Sequence, residues 1–422
     1  MGHRVIQPAW AALLAIWLLA GCGPSAEQIA AQKAVGSYYI GNYQAAARTL
    51  RPLAQRPNED FVLNNLRLGS AALANYDLDE AEWAFLRAYE VMNSFGVNTG
   101  GRTLGAVLVS ESVRVWRGEP FERAMAHFYL GLVYYIRQDW QNARAAFENA
   151  LFKLRDYSDG NGGPDQYRQQ ESDFAVALVM LGKCWQKIGR EDLARANYQR
   201  AIELRPQLTA LADYQRNAQS NVLLVIDYGY GPRKLTTFDG SILGFGPKPS
   251  EVGPVPQPRV WVDHRALDAA DVARPPVDLL ALAQERRWQS LDTIRAVKSA
   301  LGTGLMAAGA YQGLKRKPEY GSAAALLAAG LLLKATSQAD LRQWEMLPRS
   351  VLLVPLRLNP GKHDLTVSFA GHEGYTQTWR GLIAPQDQEA TYYLRVARFT
   401  GGTFDWPPPS LAQPEAIVCL PR

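Results

Sequence analysis

The chain has 422 residues, of which 47% are apolar, so it can build two or three packed domains, and disorder is excluded as its main state. Its 45 lysines and arginines against 40 aspartates and glutamates leave a formal charge of only +5. That excess is too dilute for a nucleic-acid-binding protein, so no nucleic-acid partner is expected. Three cysteines and five histidines are little material for a disulfide framework or a metal site. We therefore predict a protein that binds partners, with no metal and no catalysis.

Residues 1–21 are predicted to be a lipoprotein signal peptide. Arg4 precedes the apolar run from Ala9 to Leu19, which is the order of charge and hydrophobicity found in secretory signals. The run is too short to span a bilayer, which takes about 20 residues. An apolar helix that ends in cysteine by chance is the alternative interpretation.

The run ends in Leu19, Ala20, Gly21 and Cys22, the lipobox pattern of bacterial lipoproteins. Small residues fit the signal peptidase, and the Cys22 thiol can carry the diacylglyceride, so a covalent lipid (palmitate among its chains) is the one non-protein group expected. Acyl chains give a stable membrane anchor. Gly23 stands where retention in the inner membrane usually needs Asp, so the predicted location is the periplasmic face of the outer membrane.

Residues 22–220 are predicted to form an all-α solenoid of tetratricopeptide (TPR)-like repeats, because a 34-residue pattern recurs in four copies. The copies cover residues 27–60, 62–95, 124–157 and 175–208. A generic Ala-rich helical bundle is the alternative. Two insertions, residues 93–120 and 158–165, interrupt the repeats. The glycines of the first insertion lack the flanking strand and Lys of a nucleotide site.

Small residues recur where the two helices of each pair should cross. Close approach of two helices requires small side chains at the crossing, and Gly131 facing Ala143 is one predicted pair. The full set of predicted packing residues is Gly69, Ala81, Gly131, Ala143, Gly182 and Ala194. Stacked helix pairs form a curved solenoid, and we expect its concave surface to bind a peptide or a helix of another protein.

Residues 221–400 are predicted to form a small antiparallel β-sandwich-like domain, which gives the whole chain an α+β fold. Runs of buried-strand pattern predict strands at 221–230, 259–262, 350–358, 363–369, 376–382 and 390–397. A helical insertion is expected at about 275–345, with helices over 275–300 and 321–345. Residues 401–422 are expected to be a tail rich in proline and aromatic residues.

Two Gly/Ala-rich apolar runs, residues 300–311 and 321–333, predict a helical hairpin within this insertion. Its small residues, which would let the two helices approach closely, include Gly302, Gly304, Gly309 and Gly330. Each run is too short to span a bilayer. One interpretation is a buried hairpin packed on the sheet. The other is an exposed hairpin that meets lipid or self-associates, with Lys315 to Lys317 facing anionic head groups.

Few residues suggest chemistry. Asp263 next to His264, and His363 next to Asp364 with His372 further on, are the His/carboxylate neighbours, but adjacent strand residues point to opposite faces. We therefore predict no hydrolytic or zinc site. Cys184 and Cys419 are expected to be free buried thiols, with a disulfide between them as the alternative.

The segment from Gly118 to Arg123, together with Ala339 to Trp344 and Leu347-Pro348, resembles a family of TPR-containing lipoproteins of Gram-negative envelopes. The resemblance covers nearly the whole mature chain. It implies a lipid anchor, TPR-like helices and a strand-rich C-terminal part around an apolar helical segment. The family has no established activity and brings no active-site residues with it.

Two functional hypotheses follow. The first is a lipid-anchored periplasmic adaptor or assembly factor that binds another cell-envelope protein through its TPR surface. The second is a structural, oligomeric membrane-associated assembly, pore-like or a scaffold, built through the apolar hairpin at 300–333. An adaptor should be monomeric with the hairpin buried, whereas an assembly should be a homo-oligomer that needs the hairpin.

Overall fold

The computed structural model describes residues 24–93, 115–154, 173–236, 242–267, 275–285, 340–369, 375–397 and 402–408. Some of the predicted features lie outside these residues. They are the signal peptide with Leu19, Ala20, Gly21 and Cys22, the hairpin with Gly302, Gly304, Gly309 and Gly330, and the residues His372 and Cys419.

The N-terminal half consists of helical hairpins. The described helices are α1 (Ala26–Tyr39), α2 (Tyr43–Ala54), α3 (Phe61–Ala74), α4 (Leu78–Asn93), α5 (Pro120–Ile136), α6 (Trp140–Phe152), α7 (Ala175–Ile188), α8 (Glu191–Leu204), α9 (Tyr214–Gln219) and α10 (Leu279–Ala283). Local sequence sets their starts: the Gln28 amide donates to Ser25 Oγ at 3.1 Å, and the Ser25 amide donates to Gln28 Oε1 at 2.9 Å, which is a capping box at α1. The first eight helices pair consecutively into four hairpins.

The four hairpins share one turn. A residue with left-handed backbone stands two positions before each second helix, namely Gly41 (φ 81°), Tyr76 (φ 58°), Gln138 (φ 61°) and Gly189 (φ 82°). A common turn at a common position defines equivalent repeats, so the predicted TPR-like architecture of the N-terminal half is confirmed.

The glycines at the helix crossings pack against aromatic rings. A Cβ added at Gly131 would lie 2.8 Å from Phe147 Cε1, and a Cβ at Gly69 would lie 2.6 Å from Phe85 Cε1. Gly182 meets Tyr198 in the same way. The atoms nearest a Cβ at Gly131 belong to Phe147, one turn after the predicted partner Ala143 on α6, so the sequence indicated the right helix but not the residue in closest contact. Ala81, Ala143 and Ala194 are buried in the same hairpins.

The C-terminal half holds two main sheets. The strands are β1 (Val222–Tyr228), β2 (Arg233–Thr236), β3 (Ile242–Gly246), β4 (Pro258–Val262), β5 (Arg265–Ala266), β6 (Val277–Asp278), β7 (Ser350–Leu356), β8 (Gly361–Phe369), β9 (Thr376–Ala384), β10 (Ala390–Val396) and β11 (Gly402–Asp405). One sheet has the order β10-β1-β7-β6, the other has the order β11-β9-β8-β4-β5, and β2 pairs with β3. All six strands predicted from the sequence are present.

The sheets are mixed, so the prediction of a purely antiparallel arrangement is wrong. β1 pairs in parallel with β10, with Val222 opposite Ala390, and β9 pairs in parallel with β11. The chain leaves the second sheet after β9 and enters the first sheet beside the start of β1. Alternation of apolar residues reports which face a strand buries but not the direction of its neighbour.

The first sheet lies between the helices and the second sheet. Along β1, Tyr228 packs on Phe369 of the second sheet, with ring centroids 4.2 Å apart, whereas Asp227 points to the helices and accepts a hydrogen bond from Tyr129. Every residue of β1 is buried, as expected for a strand covered on both faces. Helices and sheets therefore share one continuous hydrophobic core.

The described ends of the predicted helical insertion are not regular helix. Residues 275–285 contain β6 and the short α10, and residues 340–345, predicted to be helical, have no regular helix or strand. We call residues 340–348 the inner segment. The tail predicted at 401–422 begins with β11, which pairs with β9.

Candidate functional site

The first helix of each hairpin faces the sheet. All residues of α3 are buried, α3 and α5 contact β10, and α7 contacts β7. The predicted binding surface of the solenoid is this inner face, formed by α1, α3, α5 and α7. It is covered by the chain's own β-sheet.

The inner segment lies on this inner face, where a bound partner peptide was expected. Trp344 is 2% exposed, and its Nε1 donates to Ser70 Oγ at 3.1 Å while its backbone amide donates to Glu122 Oε1 at 2.7 Å. Arg67 holds the carboxylate of Glu345 through Nε at 2.9 Å and Nη2 at 2.6 Å, a bidentate pair. The prediction that the concave face is open to a partner is therefore wrong, because a segment of this chain is bound there.

A buried polar cluster joins the inner helices to the centre of the first sheet. Asp227 accepts hydrogen bonds from the hydroxyls of Tyr129 and, at 2.7 Å, of Tyr393. Arg395 Nε donates to the Tyr38 hydroxyl at 3.1 Å. Burial raises the pKa of Asp227 to about 6, although Arg395 opposes that shift. These hydrogen bonds fix the sheet against the helices.

A second buried cluster centres on an ion pair between α7 and the start of β10. Lys183 Nζ lies 2.8 Å from Glu389 Oε2, and both side chains are almost completely buried. Tyr135 donates to the other carboxylate oxygen at 2.8 Å, and Ser220 donates to Oε2 at 2.6 Å. Burial opposes ionisation of Glu389, but Lys183 outweighs it and keeps the pKa of Glu389 below its ordinary value. The Glu389 carboxylate is therefore ionised, and both of its oxygens accept hydrogen bonds.

An open groove is lined by residues of the outer helices α6 and α8 and of α7 between them. It has a volume of about 450 Å³. We call it the outer groove. Its lining residues are Glu148, Asn149, Leu151, Phe152, Leu181, Trp185, Leu193, Asn197 and Arg200. Phe152 is 49% exposed, and the guanidinium of Arg144 lies 4.9 Å from the centroid of the Trp185 ring. An aromatic floor with a charged and amide rim can accept an apolar side chain of a partner.

No group of three or more His, Cys, Asp or Glu side chains within the described residues could hold a metal ion. His363 does pair with Asp263, at 2.6 Å between Nδ1 and Oδ2, and its Nε2 lies 2.7 Å from the Asn359 carbonyl. Burial lowers the pKa of His363, but these two acceptors together raise it above the ordinary value. This pair links the β4–β5 turn to β8.

Two further predictions can be located. Cys184 is a free thiol buried in α7, where burial raises its pKa well above the ordinary value and makes it unreactive. None of the described helices is long and apolar enough to cross a membrane.

The sequence indicated Gly69, Gly131 and Gly182 as packing residues, and the structure places them at the helix crossings of three of the four hairpins. Sequence reasoning missed Asp227, Glu389 and Arg395. A signal was present, since Asp227 interrupts the apolar run of β1 and Arg395 interrupts that of β10.

Comparison with protein-family models gave no match, and neither did comparison with curated proteins. Among solved structures, the chain is similar to MamA (17% identity, 45% of this chain, 84% of that chain, TM-score 0.28). It is similar to BtubC from P. vanneervenii (19% identity, 43% and 64%, TM-score 0.31). It is also similar to TTC0263, a thermophilic TPR protein in Thermus thermophilus (19% identity, 46% and 97%, TM-score 0.22). These scores are low, and the TPR-like description rests on the shared turns and the glycine–aromatic crossings.

Proposed function

We propose that this protein is a lipid-anchored scaffold of the cell envelope that binds a partner protein in the outer groove. The lipobox ending in Cys22 supports the anchor, and the predicted location is the periplasmic face of the outer membrane.

The main support for the proposal is that the inner face of the solenoid is occupied whereas the outer groove is open. The inner face is bound to the chain's own sheet and inner segment, with Trp344 and Glu345 of that segment making the contacts that a ligand peptide would make. The outer groove is open, and Phe152 stands half-exposed at its edge. An exposed aromatic beside a formed groove is a typical centre of a protein–protein contact.

The rim indicates the kind of partner. Arg200 and Glu148, which pairs with Arg144 at 2.8 Å, carry opposite charges, and the exposed Asn149 offers an amide group. Such a rim fits a peptide or helix that places one large apolar side chain on Phe152 and Trp185 and polar groups around it.

The test is capture of partners from the protein's own envelope by the full-length lipoprotein. Phe152→Asp places a charge in the groove and is expected to reduce capture of a specific partner at least tenfold. Val252→Asp is the matched control, because Val252 is an apolar residue that is 76% exposed in the C-terminal half. Equal capture by both variants and the unmodified protein would show that the outer groove is not the site.

The anchor is tested separately with Cys22→Ser. We expect the unmodified protein in the membrane fraction and the variant in the soluble periplasmic fraction. A variant that stays fully in the membrane fraction would exclude Cys22 as the attachment point.

A further inference from the structure

Three nitrogen-bearing side chains meet where α4 ends, α5 begins and α6 ends. Arg123 and His127 are four residues apart on α5 and so lie on the same face of that helix. The ring of Tyr89, on α4, meets the ring of His127 edge-on with centroids 5.0 Å apart. Lys153, directly after α6, donates to Asn93 Oδ1 at 2.5 Å and so lies at the same corner.

Several buried nitrogen atoms at this corner lack a hydrogen-bond partner among the described residues. His127 is 1% exposed, and neither Nδ1 nor Nε2 of its ring has a hydrogen-bond partner among the described residues. The buried Nε of Arg123 also has none there. Buried side-chain nitrogen atoms in folded proteins are nearly always hydrogen-bonded, so an orphaned ring beside an orphaned guanidinium nitrogen indicates a place for a ligand.

The electrostatics favour a negative ligand. Burial, and after it the charges of Lys153 and Arg123, lower the pKa of His127 to about 3. The two carboxylates at the start of α5 are engaged elsewhere. Glu122 accepts the amides of Trp344 and Glu119, and Glu119 pairs with Lys234 at 2.9 Å.

We propose that Arg123, His127 and Lys153 form a binding site for a phosphate group. The donors come from α5 and from the end of α6, and a tetrahedral anion with several acceptor oxygens can meet all three side chains, whereas a carboxylate offers two oxygens in one plane. Lysine contributes a point charge and arginine a directed N–H, a combination common in phosphate sites. Because His127 is buried, only a small group can reach its ring nitrogens.

The test uses the full mature protein and inorganic phosphate, with binding measured by isothermal titration calorimetry at pH 7. Lys153 is only half-buried, so Lys153→Gln should fold, and we expect it to weaken phosphate binding about tenfold or more. Lys33→Gln, at an exposed position of α1, makes the same change in charge and should bind as the unmodified protein does. Equal binding by both variants, or no binding by the unmodified protein to phosphate or to phosphatidylglycerol vesicles, would overturn the proposal.

A second variant separates binding from packing. His127→Phe keeps an aromatic ring against Tyr89 and removes the orphaned nitrogens, so without phosphate its Tm should equal or exceed that of the unmodified protein. Phosphate should raise the Tm of the unmodified protein and leave that of the variant unchanged. An equal phosphate-induced rise in both proteins would contradict the site.

Two further probes identify the phosphate source and the anion. Binding to phosphatidylglycerol vesicles, but not to free phosphate, that is lost in Lys153→Gln would assign the site to a lipid head group. Tighter binding of acetate than of phosphate would overturn the phosphate assignment.

Discussion

The hydroxyl of Tyr76 hydrogen-bonds to both backbone groups of Tyr393, donating to the carbonyl oxygen at 2.7 Å and accepting from the amide at 2.9 Å. Tyr393 lies on β10, the edge strand of the first sheet. The Tyr43 hydroxyl donates to the Arg395 carbonyl two residues further along, at 3.3 Å. Edge strands expose unpaired backbone groups, and here tyrosines of the helical hairpins cover them. The helices thus close the sheet edge as well as its face.

Tyr76→Phe tests this edge cap. The substitution leaves the buried amide and carbonyl of Tyr393 without a partner, so the free energy of unfolding should fall by about 1–3 kcal/mol. Urea denaturation followed by circular dichroism measures it. Tyr214→Phe is the control, because Tyr214 is partly exposed and water can replace its hydroxyl contacts, so a change below about 0.5 kcal/mol is expected. Equal effects would show that the cap adds nothing.

The ion pair between Lys183 and Glu389 should behave as a buried pair. Lys183→Met leaves the Glu389 carboxylate buried without its counter-charge, and this should cost about 3–5 kcal/mol of stability. Changing both residues, to Met and Leu, should recover much of that loss because no charge is then left buried. A double-mutant cycle in urea measures the coupling. Additive losses would mean that the two side chains do not interact.

The crossing glycines should not tolerate a methyl group. Gly131→Ala puts a Cβ 2.8 Å from the Phe147 ring, so stability should fall by about 1–3 kcal/mol through overpacking. Gly36→Ala on α1 is a matched control, since a Cβ there has no atom within 4 Å. It should stabilise the protein by about 0.5–1 kcal/mol through helix propensity. Thermal denaturation of both variants checks the opposite signs.

Asp227 should make stability depend on pH. Its folded pKa of about 6 lies above the ordinary value of 3.8, so folding favours the protonated carboxyl. The stabilisation is complete below the unfolded pKa and is lost as pH rises through about 6. Relative to Asp227→Asn, the unmodified protein should lose about 2–3 kcal/mol between pH 4 and pH 7. A difference that stays constant over this range would contradict the assigned titration.

The sequence predicted the elements better than their partners. The 34-residue repeat and the apolar runs located the hairpins and the main strands, because the spacing of apolar residues in a helix or strand can be read from neighbouring positions in the sequence. The partner of Gly131 and the parallel pairing of β1 with β10 depend on contacts between distant residues, which periodicity does not encode.

The candidate site was likewise predictable only in part. The repeats predicted a solenoid with a binding face, but they did not predict that the inner segment of this chain occupies that face. Trp344 reaches Ser70 across 274 positions of chain. Arg67 reaches Glu345 across 278 positions. The short strands β2, β3, β5, β6 and β11 were missed because pairing rather than composition defines them.

The inner face of the helical repeats is closed by the chain's own sheet, so we place partner binding elsewhere. Hydrogen exchange of the Tyr393 amide in the full-length protein tests this closure, because this edge-strand amide donates to the Tyr76 hydroxyl. We predict exchange as slow as that of the central strand β1, limited by global unfolding. If the Tyr393 amide exchanges nearly as fast as an amide on an open strand edge while β1 stays protected, the inner face opens. The inner face would then again be the expected site of partner binding.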